Sequence, residues 1–192
     1  MPTQVRRWAM AATALAMTLA TAGSASALSH APRSPASLTV PETEQELASV
    51  AGAGGGTLRS GSLAGDRVSF QVRGSAPNAK PWLAGGTFEV KHLKPDGTLL
   101  SHFGGDISCL MASNGVAVAT GTVAWTRGPG LPNQDPSGVR VGLTIQDHGR
   151  RDQVGWSWWV AGFRDAPHCM STAPFFPITE GNYRVDAPHI SS

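Results

Sequence analysis

Residues 139–160 read VRVGLTIQDHGRRDQVGWSWWV. Val139, Val141, Leu143 and Ile145 alternate with Arg140, Gly142, Thr144 and Gln146. After the polar cluster 147–152, Val154, Trp156, Trp158 and Val160 alternate with Gly155, Ser157, Trp159 and Ala161. Side chains a half-turn apart lie on opposite faces of an extended chain, so a period of two marks strands with one face on a core. The stretch therefore predicts two antiparallel strands joined by a polar turn.

The same period extends outward from this hairpin. It places Val68, Phe70 and Val72 on one face, then Phe88 and Val90, then Ile107, Cys109 and Met111, and finally Tyr183 and Val185. Turn chemistry separates the runs: Pro95-Asp96-Gly97, Asn114-Gly115, Pro129-Gly130, Asp135-Pro136-Ser137-Gly138 and His148-Gly149. Gly and Asn accept positive φ at little cost, which suits them to hairpins. Gly121, inside the run 116–126, predicts a bulge or bend. No amphipathic helix lies between the strands, which disfavours parallel topology. The 23 Gly and 14 Pro among 192 residues are punctuation for short strands. The expected fold is all-β, an antiparallel sandwich or small barrel of about eight strands.

The amino terminus reads differently. Arg6 and Arg7 precede the apolar run 8–20, and Ala25-Ser26-Ala27 fits a small-residue cleavage rule, so 1–27 reads as a secretory signal peptide. The run is too short to span a bilayer, and no stable membrane anchor is expected. Arg6-Arg7 also admits a twin-arginine signal, but Trp8-Ala9-Met10 departs from that pattern, which favours the general secretory route. Residues 28–56 read as a flexible leader. Within it, the capping spacing of Thr43 and Glu46 and the stop at Gly52 predict a short helix over 43–51. Residues 57–192 form the single β domain. The formal charge of +2 rests on Arg6 and Arg7; without them 13 basic residues balance 13 acidic ones. A neutral chain with three lysines, Lys80, Lys91 and Lys94, offers no basic stripe for phosphates, so nucleic acid is not an expected partner.

Two cysteines in an exported chain admit one intramolecular bond, Cys109–Cys169, which pins the loop 164–176 across the sheet. The alternative is a free or metal-bound pair, but a zinc site takes about four ligands and no second Cys pair exists.

The densest polar cluster is Asp147-His148-Gly149-Arg150-Arg151-Asp152. It reads as a solvated hairpin turn. Its catalytic alternative makes His148 a base oriented by Asp147 or Asp152, in a small β-barrel enzyme of hydrolase or cyclase type. No nucleophile elbow accompanies it. The six His residues show no metal spacing, although distant strands can bring His92, His102 and Asp106 together. Asn133, Asp135, Ser137 and Gly138 begin like a calcium loop, but Thr144 stands where its last carboxylate belongs. No phosphate or dinucleotide fingerprint is present, and no cofactor is expected. Trp156 and Trp158 share a face with Val154 and Val160 and read as core. Trp159 then points outward or into a second layer; outward, an exposed ring suits a carbohydrate-binding module.

The spacing Gly105-Asp106-Ile107-Ser108-Cys109, Gly115, Ala117 to Gly121, Val139 to Gly149, Asp152 and Cys169 resembles that of small exported actinobacterial proteins of unknown function, some labelled "repetin". The resemblance covers about 90 residues. It implies a secreted β domain and assigns no activity. The expected protein is thus a secreted, monomeric, non-catalytic interaction or ligand-binding module, with an unidentified extracellular ligand or protein as partner.

Overall fold

A computed structural model describes residues 46–130 and 135–187. The signal peptide, most of the leader, the start of the calcium-like loop at Asn133 and the last His, His189, lie outside them.

Nine strands form one antiparallel sheet: β1 (Leu47–Thr57), β2 (Arg67–Pro77), β3 (Gly85–Leu93), β4 (Leu99–Ser113), β5 (Val116–Arg127), β6 (Arg140–Gln146), β7 (Gln153–Trp156), β8 (Phe176–Pro177) and β9 (Glu180–Asp186). From β1 to β7 each strand pairs with the next along the chain, and β9 returns to β1, giving the order β8-β7-β6-β5-β4-β3-β2-β1-β9. The sheet curls around an apolar interior built from the predicted alternation, including Phe70, Val72, Phe88, Val90, Leu143, Ile145, Val154 and Trp156. The predicted turns form as their chemistry dictates. Asn114 and Gly115 take φ of 49° and 73° in the two-residue β4–β5 turn. Asp96 accepts the Thr98 N–H at 2.8 Å in the β3–β4 turn.

The two ends of the sheet meet through side chains. Tyr183 N–H donates to Asp152 Oδ2 at 2.8 Å, and Val185 N–H to Asp147 Oδ2 at 3.1 Å. The other oxygens of the same carboxylates accept turn amides: Asp152 Oδ1 takes His148 N–H at 2.9 Å and Asp147 Oδ1 takes Gly149 N–H at 3.2 Å. Between β8 and β9, Ile178 N–H donates to the Asp152 carbonyl and Thr179 N–H to the Gly55 carbonyl, each at 2.9 Å. The outward amides of β9 would otherwise be an open edge.

Three expectations need correction. The helix over 43–51 is not formed across its described part: Leu47–Ala51 belong to β1, paired with β2 on one side and β9 on the other. A single short helix is marginal on its own, and two flanking ladders outweigh its propensity. The end of the expected leader, Gly52 to Gly56, is likewise strand. The Tyr183 ring lies against Gly52 and Gly54, where a Cβ would meet ring carbons at 2.9 and 3.0 Å.

The Trp-rich strand stops at Trp156 instead of reaching Val160. Ser157 Oγ accepts the Gly142 N–H at 3.0 Å, and the chain then makes one helical turn, α1 (Trp158–Ala161). Trp158 still packs on the core, but Val160 is exposed.

Met111 is exposed while Leu110 is buried, the reverse of a strict alternation. The register of β4 against β5 shifts between Ile107 and Cys109, opposite Thr120 and Gly121, and an inserted residue exchanges the two faces. The irregularity anticipated at Gly121 thus falls on its partner strand.

Candidate functional site

The ends of β1, β3 and β7 and the starts of β2 and β4 lie at the same end of the sheet, because successive strands run antiparallel. A cavity of about 250 Å³ opens there. Its walls are aromatic and aliphatic: Phe70, Phe103, Trp156, Trp158, Trp159 and Phe163, with Leu58, Leu63, Val68 and Val90. Trp158 and Phe163 stack nearly parallel, 5.7 Å apart at 11°. Phe103 stands edge-on to both. Trp159 packs against Trp156 and Phe175, so its half-exposed ring forms the rim of the cavity and not an isolated platform.

Two polar side chains enter this apolar space, His92 and Ser101. His92 follows Phe88 and Val90 on the inward face of β3, and Ser101 sits directly opposite it on β4. His92 Nε2 lies 2.7 Å from Asp66 Oδ2, and the two side chains are only 12% and 8% exposed. Asp66 precedes β2, held where its carbonyl accepts the Leu58 N–H at 2.8 Å. With Nε2 committed to the carboxylate, no described residue bonds His92 Nδ1 or links it to Ser101. In the neutral ring that nitrogen is an acceptor; in the protonated ring it is a donor.

The residues singled out from sequence are distributed differently. Asp147 and Asp152 form the seam described above, and neither touches the imidazole of His148. That ring is exposed and bonds Gln146 Nε2 through Nδ1 at 3.1 Å. The cluster is therefore a capped turn whose carboxylates hold β9. His92, His102 and Asp106 do not converge. His102 lies on the other face of the β3–β4 pair, bonded to Glu89 at 2.6 Å and edge-on to Trp125. The turn at Asp135 is a plain Asx turn: its carboxylate accepts the Ser137 N–H at 2.9 Å, which holds its pKa below the ordinary value.

The Cys109–Cys169 disulfide is formed, with Cα atoms 5.3 Å apart. It fastens an irregular strap, residues 165–175, over the outer face of β5, β6 and β7. Thr144 Oγ1 donates to the Thr172 carbonyl at 2.6 Å, Cys169 N–H to Thr120 Oγ1 at 3.1 Å, and Ala166 N–H to the Arg140 carbonyl at 2.8 Å. Gly142 and Gly155 make room for it: a Cβ on either would stand 2.4 Å from a strap carbonyl oxygen. A disulfide of this kind fits an oxidising compartment. No helix among the described residues is long and apolar enough to cross a membrane.

The sequence reading missed His92 with Asp66 and the cavity they serve. His92 carried a signal, since it continues the inward alternation of Phe88 and Val90. Asp66 carried none, lying in a turn 26 residues away.

No family model, curated protein or solved structure matches the chain.

Proposed function

We propose that the chain is an exported binding protein that holds a small planar aromatic molecule bearing one hydroxyl group in the cavity at the His92 end of the sheet. The observation that carries this reading is the lining: six aromatic side chains around a space of about 250 Å³, with His92, paired to Asp66, in its wall. A dry cavity of about 150 Å³ accepts benzene. The larger space here suits two fused rings. Flat faces and ring edges favour an aromatic guest. A ligand hydroxyl both donates and accepts, so it satisfies His92 Nδ1 in either protonation state. Export is supported by the signal-like amino terminus and the disulfide.

Titrating the protein with 1-naphthol tests the reading, with the indole emission of the cavity as the signal. Saturable quenching is expected, weakened about tenfold or more by Trp158→Ala. Naphthalene, which lacks the hydroxyl, should bind more weakly than 1-naphthol to the parent but equally well to His92→Ala, because only the parent has a partner for the hydroxyl. Absence of saturable quenching by either compound would refute the reading.

A second reading uses the same residues. A carboxylate behind an imidazole is the arrangement of a general base, and His92 backed by Asp66 faces the cavity. The enzyme alternative therefore belongs to His92 and Asp66 and not to His148. Chemical change of a bound hydroxylated aromatic, lost in Asp66→Asn while binding persists, would select it.

A further inference from the structure

Beside the disulfide stands an exposed histidine, His168. One ring nitrogen of His168 and the sulfurs of Cys109 and Cys169 all lie within 4.8 Å of one another. His168 Nε2 is 3.2 Å from the Ser108 carbonyl oxygen, which can only accept. In the neutral ring that nitrogen therefore carries the hydrogen, and Nδ1 keeps a lone pair. Nδ1 lies on the sulfur side, 3.8 Å from Cys169 Sγ. A histidine held through one nitrogen by a backbone carbonyl, with the other on the side of two cysteine sulfurs, has the posture of a metal ligand with its outer-shell partner.

We propose that reduction of the Cys109–Cys169 bond creates a three-ligand site, Cys109 Sγ, Cys169 Sγ and His168 Nδ1, for a thiophilic d¹⁰ cation, Zn²⁺ or Cu⁺. A small dithiol supplies two electrons and two protons and leaves as its cyclic disulfide; the protein gains two thiols. Metal binding then releases those two protons to solvent, because only thiolates ligate. Sulfurs bound to one tetrahedral zinc lie about 3.8 Å apart. Cα atoms 5.3 Å apart allow that spacing by rotation of the two side chains alone. Cys109 is fully buried while His168 is exposed, so an ion enters from the His168 side and water takes the fourth position. The metal then fastens the strap to β4 as the disulfide did. One anchor replaces the other without freeing residues 165–175.

The test reduces the full chain with a phosphine, removes the reductant without oxygen, and titrates Co²⁺ as a spectroscopic stand-in for Zn²⁺. A thiolate-to-cobalt charge-transfer band saturating at one equivalent is expected, bleached by Zn²⁺, with a rise in the Tm of the reduced protein. A parallel competition against a coloured Cu⁺ chelator decides between the two ions. His168→Ala, at an exposed position, keeps the fold and should weaken binding about tenfold or more. The proposal is overturned by equal binding to the oxidised chain, by unchanged affinity in His168→Ala, or by no band at all. A reduced chain that is unfolded by circular dichroism and is not refolded by either metal overturns it as well.

Discussion

Asp152, at the threshold of β7, accepts the backbone N–H of Tyr183 in β9 at 2.8 Å, across a gap that no strand pair spans. The carboxylate is almost fully buried, and its second oxygen is taken by the His148 amide. Asp147 repeats the pattern with Val185 and Gly149. Two acidic residues flanking one tight turn thereby do what a further strand would do for the exposed amides of β9. The hydroxyl of Tyr183 completes the join inside, donating to the Phe70 carbonyl at 2.8 Å.

Removing this carboxylate should loosen the seam. Asp152→Ala strands the Tyr183 amide in a buried place and deletes a charge-assisted bond, a loss of about 3 kcal/mol. Asp147→Ala should cost about 1 kcal/mol, since Val185 is only partly buried. Urea midpoints check both. Equal, small shifts for the two variants would show that the seam does not hold the sheet.

Tyr183 is the chain's single tyrosine, so tyrosinate absorbance reports it alone. Burial pushes its phenol far above the ordinary value, and the nearby Asp152 charge pushes the same way. The native state keeps a proton that the unfolded chain has released. Stability is therefore intact below about pH 10 and falls as pH rises further, by about 1.4 kcal/mol per pH unit. The tyrosinate signal should appear together with loss of the folded circular dichroism spectrum. A smooth titration near pH 10 in the still-folded protein would contradict the burial. Tyr183→Phe should remove this alkaline sensitivity while losing about 1 kcal/mol at neutral pH.

The strap imposes its own requirement. Gly155→Ala drives a Cβ to 2.4 Å from the Ala173 carbonyl oxygen, and one of the two chains must move. A loss of about 2 kcal/mol is expected in the disulfide-bonded protein. In the Cys109→Ser, Cys169→Ser background the strap is free to shift, so the penalty should shrink. Equal penalties in the two backgrounds would mean that the disulfide does not press the strap onto β7.

Much of this fold was legible because period-two alternation is a local signal. The Val139–Ile145 strand, the Asn114-Gly115 turn and the Cys109–Cys169 bond follow from neighbouring residue types and from a count of two cysteines. What sequence concealed depends on distant partners. Leu47–Ala51 look helical alone and become strand because β2 and β9 hydrogen-bond both edges. Asp147 and Asp152 look like an acid–base pair for His148, yet their acceptors' partners lie in β9, more than 30 residues on. The cavity was invisible for the same reason: its walls come from β2, β3, β4 and β7, the segment after β1, and α1 with Phe163 beyond it, and Asp66 meets His92 only after β2 and β3 pair.

The central claim is that the cavity beside His92 is a ligand site, and filling it is the direct test. Ser101→Trp places a large ring in that space on β4, at a position the seam and the strap do not touch. Calorimetric titration with 1-naphthol should show one site in the parent protein. It should show none in Ser101→Trp, whose folded spectrum and thermal transition remain. Undiminished one-to-one binding by a folded Ser101→Trp, or no binding by the parent, would contradict the account.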